Sequence, residues 1–235
     1  MQETGSYGQF CPVAMAAEIV CTRWTPLILR ELAAGSTRFN DLRRGLPRIS
    51  PTLLSKRLKE LEGAGVIERI AESGENSRDT NVYYVLTPAG QELKAFVSTL
   101  GVWGQRWIET RSSLKHLDPS LLMWDMRRNL DPRPMLPGRS VIQIVYPELP
   151  ASKRAWWLIV DGGETDLCRI DPGFEVDLYV STDLRTMTSI WMGLATVAGE
   201  ERAGRLRLTG NDALKSRMQL WLGRSPFAVE QKRVA

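Results

Sequence analysis

The first part of the chain carries apolar residues at helical spacing in consecutive short segments. Pro12 favours the start of one helix, and a second is expected from Trp24 to Ala34, ended by Gly35. Thr37 is the expected cap of a short third helix over RFNDLRRGL. The pattern therefore predicts three helices before the chain reaches its most informative stretch.

That stretch is SPTLLSKRLKELEG, which predicts a fourth helix with two unlike sides. Leu54, Leu58 and Leu61 recur at the spacing of a buried helix face, and Ser50 followed by Pro51 is a typical helix start. The opposite side is small, polar and basic. A surface of this kind needs a partner other than the protein's own core.

Two strand-like segments and a long helix follow. Val66–Ile70 and Asn81–Thr87 alternate apolar and polar residues, and the polar segment SGENSRD between them predicts a hairpin. Pro88 then starts a helix that continues to about Arg111. Helices, hairpin and flanking helix in this order predict a winged helix-turn-helix, in which the fourth helix enters the major groove of DNA.

The second half changes character and predicts an α+β domain with a mostly antiparallel sheet. FEVDLYV is its clearest strand, with Phe174, Val176, Leu178 and Val180 on one side. Thr182 or Asp183 is the expected cap of the helix that follows. Further strands are expected in GRSVIQIVYPEL, RAWWLIV, TDLCRI and RLRLTG, and further helices in DPSLLMWDMRRNL and in one last helix that carries Leu214, Met218, Trp221 and Leu222. We therefore expect two domains, 1–111 and 112–235.

Composition narrows the functional classes. The 235 residues contain no apolar run of membrane-spanning length, and the start, MQETGSYGQF, does not resemble a signal peptide, so we expect a cytoplasmic protein. Three cysteines without metal-type spacing and a single histidine, His116, argue against a disulfide framework and a histidine-based metal site.

Charge is concentrated where the helix-turn-helix is expected. The net charge is only +4, but seven basic residues and one acidic residue, Asp41, lie between Ser36 and Lys59. Such a stripe is typical of a nucleic-acid surface, although many charge runs are simply solvated. The residues expected to contact DNA are Arg38, Arg43, Arg44, Arg48, Ser50, Thr52, Ser55, Lys56, Lys59 and, at the hairpin tip, Arg78.

These residues divide by expected role. The arginines before the fourth helix are placed to contact phosphates, and the helix itself is placed to reach base edges. Arg78 could enter the minor groove. The alternatives are that Arg57 and Glu60 pair with each other on the helix surface and that Arg78 only keeps a loop soluble.

Residues from Cys11 to Arg111 also contain an ordered series of short motifs. They are Cys-Pro-Val, Arg23-Trp24, Leu-Arg-Glu-Leu, Arg38-Phe39, Ile-Ser-Pro, Leu-Leu-Ser-x-Arg-Leu and Leu-Thr-Pro-x-Gly. With these motifs the segment resembles the HxlR family of bacterial transcription regulators. The resemblance implies a homodimer on a two-fold symmetric operator, with the first and last helices of the domain in the dimer contact. Alternatively, the second half of the chain covers the apolar stripe of the last helix, which carries Phe96, Leu100, Trp103 and Trp107.

Some members of that family sense electrophiles or oxidants through an N-terminal cysteine, and Cys11 matches its position. It stands just before a helix start, where the positive end of the helix dipole favours a thiolate. The alternative is a passive packing residue. Cys21 and Cys168 are expected to be small buried hydrophobes.

The second half contains VDLYVSTDLRTMTSIWMGL and ERAGRLRLTGNDALKSRMQLWL, a strand, a capped helix, a Gly-Arg-Leu-x-Leu-x-Gly strand and a final helix. From about Asp118 to Gly223 it resembles the sterol carrier protein type-two fold, which implies a tunnel for apolar ligands and no chemistry. The residues expected to line such a tunnel are Trp156, Trp191, Met192, Leu194 and Trp221. The alternative is that this aromatic stripe is ordinary core.

Together these observations predict a DNA-binding transcription regulator that responds to an apolar small molecule, with no cofactor and no metal. One alternative is a thiol-based regulator that uses Cys11 and has a purely structural C-terminal domain. Another is a lipid carrier or enzyme that retains a helical adaptor, although no nucleophile–base pair or phosphate-cradling glycine loop is recognisable.

Overall fold

The computed structural model describes residues 6–73 and 80–234. Two compact units divide the chain, Met1–Leu100 and Gly101–Ala235, so the boundary lies inside the long helix that begins at Pro88. The first unit contains α1 (Pro12–Val20), α2 (Thr25–Ala33), α3 (Phe39–Gly45), α4 (Pro51–Gly63), β1 (Ile67–Ser73), β2 (Thr80–Leu86) and the N-terminal part of α5 (Pro88–Trp107).

Helix starts in the first unit agree with the sequence at α4 and differ from it at α2 and α3. The Ser50 hydroxyl accepts a hydrogen bond from the Leu53 amide at 3.2 Å, which confirms the predicted cap. Trp24 lies outside α2 because its φ is 80°, in the left-handed region. Thr37 does not cap α3; its carbonyl accepts a 2.8 Å hydrogen bond from the Tyr84 amide and so joins this segment to β2.

The two strands of the first unit form the expected antiparallel hairpin. They pair from Ile67 with Leu86 to Ser73 with Thr80, and an additional bridge joins Arg38 to Tyr83. The hairpin is therefore held against the segment that leads into α3. The hairpin tip, including Arg78, lies outside the described residues.

An apolar core joins these elements. Leu54, Leu58 and Leu61 of α4 are at most 2% exposed and belong to the same cluster as Ile28 and Leu42, from α2 and α3. The predicted inner face of α4 is thus confirmed. Because that face is buried, the opposite face of α4 is directed outward.

One polar contact inside the first unit fixes the approach of α3 to α2. The Glu31 side chain is fully buried and accepts two hydrogen bonds from Arg30, at 2.9 and 2.6 Å. Arg30 also donates to the Gly45 carbonyl at 2.9 Å. A Cβ atom built on Gly45 would lie 1.9 Å from a Glu31 carboxylate oxygen, so only glycine permits this distance between the helices. We call these three residues the Arg30–Glu31–Gly45 brace.

The second unit is an α+β arrangement around a five-stranded sheet. It contains the remainder of α5, then α6 (Thr110–Ser113), α7 (Pro119–Asn129), β3 (Ser140–Val145), α8 (Ala151–Arg154), β4 (Ala155–Asp161), β5 (Glu164–Cys168), β6 (Leu178–Thr182), α9 (Leu184–Trp191), α10 (Val197–Arg202), β7 (Leu206–Gly210), α11 (Asp212–Ser216) and α12 (Met218–Leu222). The strand order is β5-β4-β3-β6-β7, and every neighbouring pair is antiparallel except β3 with β6. The mostly antiparallel sheet is confirmed.

Two predicted elements of this unit differ in extent. The strand expected from Phe174 begins only at Leu178, because the preceding residues form a connection between β5 and β6 in which Asp171 accepts a hydrogen bond from the Gly173 amide. The single last helix is instead the pair α11 and α12, interrupted at Arg217.

Asp183, rather than Thr182, caps α9, because it accepts a hydrogen bond from the Thr186 amide at 2.8 Å.

One side of the sheet is covered by helices and forms the core of the second unit. Ile142, Ile144, Leu158 and Val180 point from the strands into this core. Helical side chains that meet them include Met123, Met126, Met187, Ile190, Trp191, Met218 and Trp221. Within the described residues, none of the helices is both long enough and apolar enough to cross a membrane.

The Arg30–Glu31–Gly45 brace makes a specific prediction about stability. Gly45→Ala adds a methyl group against a buried, paired carboxylate and should lower the free energy of opening of the first unit by about 1–3 kcal/mol. Native-state hydrogen exchange of the α2 amides measures this free energy within the full chain.

Gly63→Ala is the matched control, because a Cβ atom there meets nothing within 4 Å. Alanine is the better helix former by about 1 kcal/mol, so this variant should be neutral or slightly more stable. Equal effects of the two substitutions would contradict the brace.

Candidate nucleic-acid interface

The outward face of α4 is the centre of the candidate interface. Thr52, Ser55, Lys56 and Lys59 are all exposed, as the helical pattern predicts. Ser50 is exposed too, but its hydroxyl oxygen is already used as the helix cap. Its hydroxyl hydrogen remains available as a donor, so capping and contact with a phosphate are compatible.

Basic residues of α3 and of the turn after it extend this face. Arg43, Arg44 and Arg48 are exposed, and Arg43, Arg44 and Asn40 line an open depression beside the segment Leu46–Ile49. Exposed guanidinium groups around a concave surface are suited to a phosphate group. Asn40 was not expected from the sequence, although it lies one helical turn before the two arginines.

Some cations of the interface are already paired. Arg44 contacts Asp41 at 3.0 Å, while Lys56 and Arg57 both face Glu60, at 3.9 and 2.5 Å. The Arg57–Glu60 pair is the alternative that the sequence left open. Exposed pairs of this kind are worth little in water, so Lys56 can exchange Glu60 for a phosphate at small cost.

Other cations of the interface have no acidic partner among the residues that the structure describes. In the described part of the chain, Arg43, Arg48 and Lys59 form no ion pair. An unpaired exposed cation can bind a phosphate without first breaking a contact. These three residues are therefore the cations of this surface that could bind phosphates at the least cost.

Arg38 occupies a different position from the other arginines. Its guanidinium donates a 3.1 Å hydrogen bond to the Tyr83 hydroxyl and lies 5.3 Å from the centre of that ring. The hydrogen bond raises the pKa of Arg38, so its charge is secure. Arg38 is exposed, but its observed contact fastens β2 to the start of α3. The sequence placed Tyr83 in a strand but did not predict its contact with Arg38.

Cys11 lies at the N-terminus of α1, as predicted. The backbone amides of Ala14 and Val13 lower the pKa of its thiol below the ordinary value. Cys11 and Cys168 are half-buried and Cys21 is exposed, so the expectation that Cys21 and Cys168 are buried hydrophobes is wrong. Cys21 ends up exposed because it follows the last residue of α1, at the C-cap.

The residues expected to line an apolar tunnel lie in or beside the core of the second unit. Trp156, Trp191 and Trp221 are at most 3% exposed, and Met192 and Leu194 are half-buried. The Trp156 and Trp221 indoles donate to the carbonyls of Lys153 and Leu214, both at 2.8 Å. Their polar atoms are thus satisfied within the protein, as those of core tryptophans are.

The chain is similar to known proteins over its first half. Residues 19–112 match the family model described as HxlR-like helix-turn-helix. The chain is 36% identical over 104 residues to YvaP of Bacillus subtilis (strain 168), an uncharacterized HTH-type transcriptional regulator, covering 43% of this chain and 92% of that protein. It is 34% identical over 103 residues to YtfH of Escherichia coli (strain K12), which has the same description, covering 44% and 79%.

Solved structures also align with part of the chain. The redox regulator HypR in its reduced form is 28% identical, covers 40% of this chain and 91% of its own, and gives a TM-score of 0.38. The putative HTH-type transcriptional regulator ytcD is 32% identical, covers 40% and 93%, and gives a TM-score of 0.37.

The lowered pKa of Cys11 predicts enhanced thiol reactivity. Because the pKa of Cys11 is lowered, a larger fraction of its thiol is thiolate at pH 7 than in a free cysteine peptide. Iodoacetamide should therefore modify Cys11 faster at pH 7 than it modifies such a peptide. The rate should also level off at a lower pH. Mass spectrometry of a Cys21→Ser/Cys168→Ser variant measures it, and a pH profile equal to that of the peptide would contradict the prediction.

Proposed function

The chain belongs to the HxlR-like helix-turn-helix family and is a DNA-binding transcriptional regulator, and from that premise we propose that it binds a palindromic operator as a homodimer and responds to an apolar molecule in its second unit. The observation that carries the DNA-binding mode is the division of α4 into a buried leucine face and an exposed polar, basic face. The helix is capped and short side chains stand near its start, which favours close approach to a major groove.

The roles of the interface residues follow from their chemistry. Arg43, Arg48 and Lys59 supply free charge for phosphates and fix the register of the protein on the duplex. Thr52 and Ser55 are short enough to reach base edges. Arg38 contributes by holding the hairpin through Tyr83, and the part of the hairpin that carries Arg78 adds a proposed minor-groove contact.

The homodimer is supported by apolar side chains that face solvent. On α1, Val13 is 76% exposed and Met15 is 56% exposed. On α5, Leu100, Trp103 and Trp107 are 44%, 58% and 44% exposed. A tryptophan exposed to this degree, beside other apolar groups, is typical of a surface that a second subunit covers. Two-fold symmetry then requires half-sites about 34 Å apart, or a multiple of that spacing.

An effector in the second unit is supported by the composition of its core. Five methionine and three tryptophan side chains are among its buried residues, and flexible thioethers can repack around a bound molecule. Tyr146 is a polar residue of this core: it is fully buried, and among the described residues its hydroxyl donates to the Met123 sulfur, at 3.3 Å. Burial raises the pKa of Tyr146, which keeps the hydroxyl protonated. An apolar molecule with one oxygen atom would offer that hydroxyl a better acceptor.

The second candidate is regulation through Cys11. It is favoured by the lowered pKa of that thiol at the start of α1, a helix with apolar side chains exposed to solvent. In this case modification of Cys11 alters the proposed dimer contact, and the second unit is structural. Loss of DNA binding on alkylation of Cys11 alone would favour this candidate.

The DNA-binding mode predicts a change in salt dependence. A Lys56→Ala/Lys59→Ala variant should lose affinity for duplex DNA, and the slope of log Kobs against log salt should fall by about 1–2, since each lost phosphate contact contributes about 0.9. Fluorescence anisotropy over a salt series measures both quantities.

The matched control removes the same two charges from the second unit. Lys115→Ala/Lys153→Ala should leave the slope unchanged, because both residues are exposed and lie outside the proposed interface. If the two double variants behave alike, the charge acts through the net field of the protein and α4 is not the DNA-reading helix.

The effector proposal predicts that a molecule stays with the protein. Native mass spectrometry of protein taken directly from its host cells should show a non-covalent adduct that disappears under denaturing conditions. A Tyr146→Phe variant should bind an oxygen-bearing adduct more weakly, since its hydroxyl is lost. Empty protein in every growth condition would contradict the effector and leave a structural second unit.

A further inference from the structure

The last residues of the described chain leave the core of the second unit and run along other elements. We call Ser225–Arg233 the tail. It begins beside the end of α9, where the Ser225 amide donates to the Trp191 carbonyl at 2.8 Å. A Cβ atom built on Gly193 would lie 2.8 Å from Ala228, so the tail passes close to the backbone that follows α9.

The tail then contacts the C-terminal turns of α5, which belong to the same unit. The Phe227 ring packs directly against Gly101, where an added Cβ atom would lie 2.2 Å from the ring. Glu230 accepts a 2.7 Å hydrogen bond from Arg106, and the Arg233 amide donates to the Arg106 carbonyl at 2.8 Å. An aromatic ring, an ion pair and a backbone bond thus hold the tail on the helix.

The end of α5 is held in the same way. The Lys232 ammonium group donates to the Ile108 carbonyl at 2.5 Å, just beyond the helix end at Trp107. A cation at this end of a helix is favourable because it satisfies a carbonyl and opposes the negative end of the dipole. The tail thus supplies a hydrogen-bond donor just beyond the last turn of α5.

A direct contact with α9 complements the tail. Gln105 is only 6% exposed, and its side-chain amide lies 3.5 Å from the Met192 carbonyl. Gly101 and Gln105 point to the same side of the helix because they are four residues apart. The exposed residues Leu100, Trp103 and Trp107 form the other side. The tail covers the first side of this helix, and on the second it contacts only Trp107 among these three residues, where the Arg233 guanidinium lies 5.6 Å from the ring centre and leaves the ring 44% exposed.

We infer that the tail is a positioning segment that holds the C-terminal turns of α5 so that Leu100, Trp103 and Trp107 face a second subunit. The inference rests on the proposed homodimer and deepens it. Short helical ends fray in water unless other groups pack on them, and a frayed end cannot present a fixed apolar stripe. Because the tail is bonded to the carbonyl of Trp191, it adds a second link between α9 and the proposed dimer helix, beside the contact of Gln105 with Met192.

A double-mutant cycle on Gly101 and Phe227 tests this inference in the full chain. Phe227→Ala removes the ring and should raise the dimer dissociation constant about tenfold, a factor that corresponds to about 1.4 kcal/mol. Gly101→Ala should raise it to a similar extent, because the new methyl group displaces the ring. In the Phe227→Ala background, however, Gly101→Ala should change little, since the group it collides with is gone. Independent structural damage would instead be additive.

The ion pair gives a second test. Arg106→Glu should weaken the dimer, and the added change Glu230→Arg should restore it. Val229→Ala is the matched control in the tail, because Val229 is 84% exposed and should have no effect. Sedimentation velocity measures the dissociation constants, and hydrogen exchange of the amides of residues 104–108 should rise in the same variants that weaken the dimer.

The outcomes separate the inference from the proposed function. If the unmodified chain is a monomer at all concentrations, the homodimer is wrong and the inference falls with it. If the unmodified chain is a dimer and the Gly101 and Phe227 variants dimerise as tightly as it does, the homodimer stands and the positioning role of the tail is wrong.

Discussion

Burial of the α4 leucine face on α2 and α3 is the contact on which the DNA-binding unit depends. Leu54, Leu58 and Leu61 are almost completely removed from water, and each fully buried leucine contributes about 1.5–3 kcal/mol relative to an exposed one. This contact fixes the rotation of α4 about its own axis. The polar interface residues of α4 are outward because these three residues are inward.

Polar contacts then fix the distances between elements that apolar packing alone would leave adjustable. The Arg30–Glu31–Gly45 brace fixes the distance between α2 and α3, and Arg38 fixes the hairpin on the residues before α3. A fully buried carboxylate is costly unless it is paired. Loss of the Arg30 contact would leave Glu31 buried without its partner, so the contacts of the brace should form or break together. The surface of α2 and α3 on which α4 packs is therefore more sharply defined than a leucine core alone would make it.

The sequence predicted well those features that depend on local spacing. The cap at Ser50, the leucine face of α4 and the hairpin of β1 and β2 all depend on residues close together in the chain, although the alternation predicted for the strands does not appear in their burial. The Arg30–Glu31–Gly45 brace could not be predicted, because its meaning depends on two helices meeting. In the second unit, the connection through Phe174 looked like a strand because it alternates. The structure uses it to pass from β5 to β6, a choice that only the strand order decides.

The parallel pairing of β3 with β6 has a consequence for how the molecule is made. Ile142 lies beside Leu178, so the centre of the sheet cannot form until a long stretch of chain has left the ribosome. Such non-local pairings form slowly, whereas the helices and hairpin of the first unit need only near neighbours. During synthesis the first unit, with α4, is thus expected to fold well before the sheet closes. A nascent or prematurely terminated chain would therefore carry a folded first unit without a folded second one.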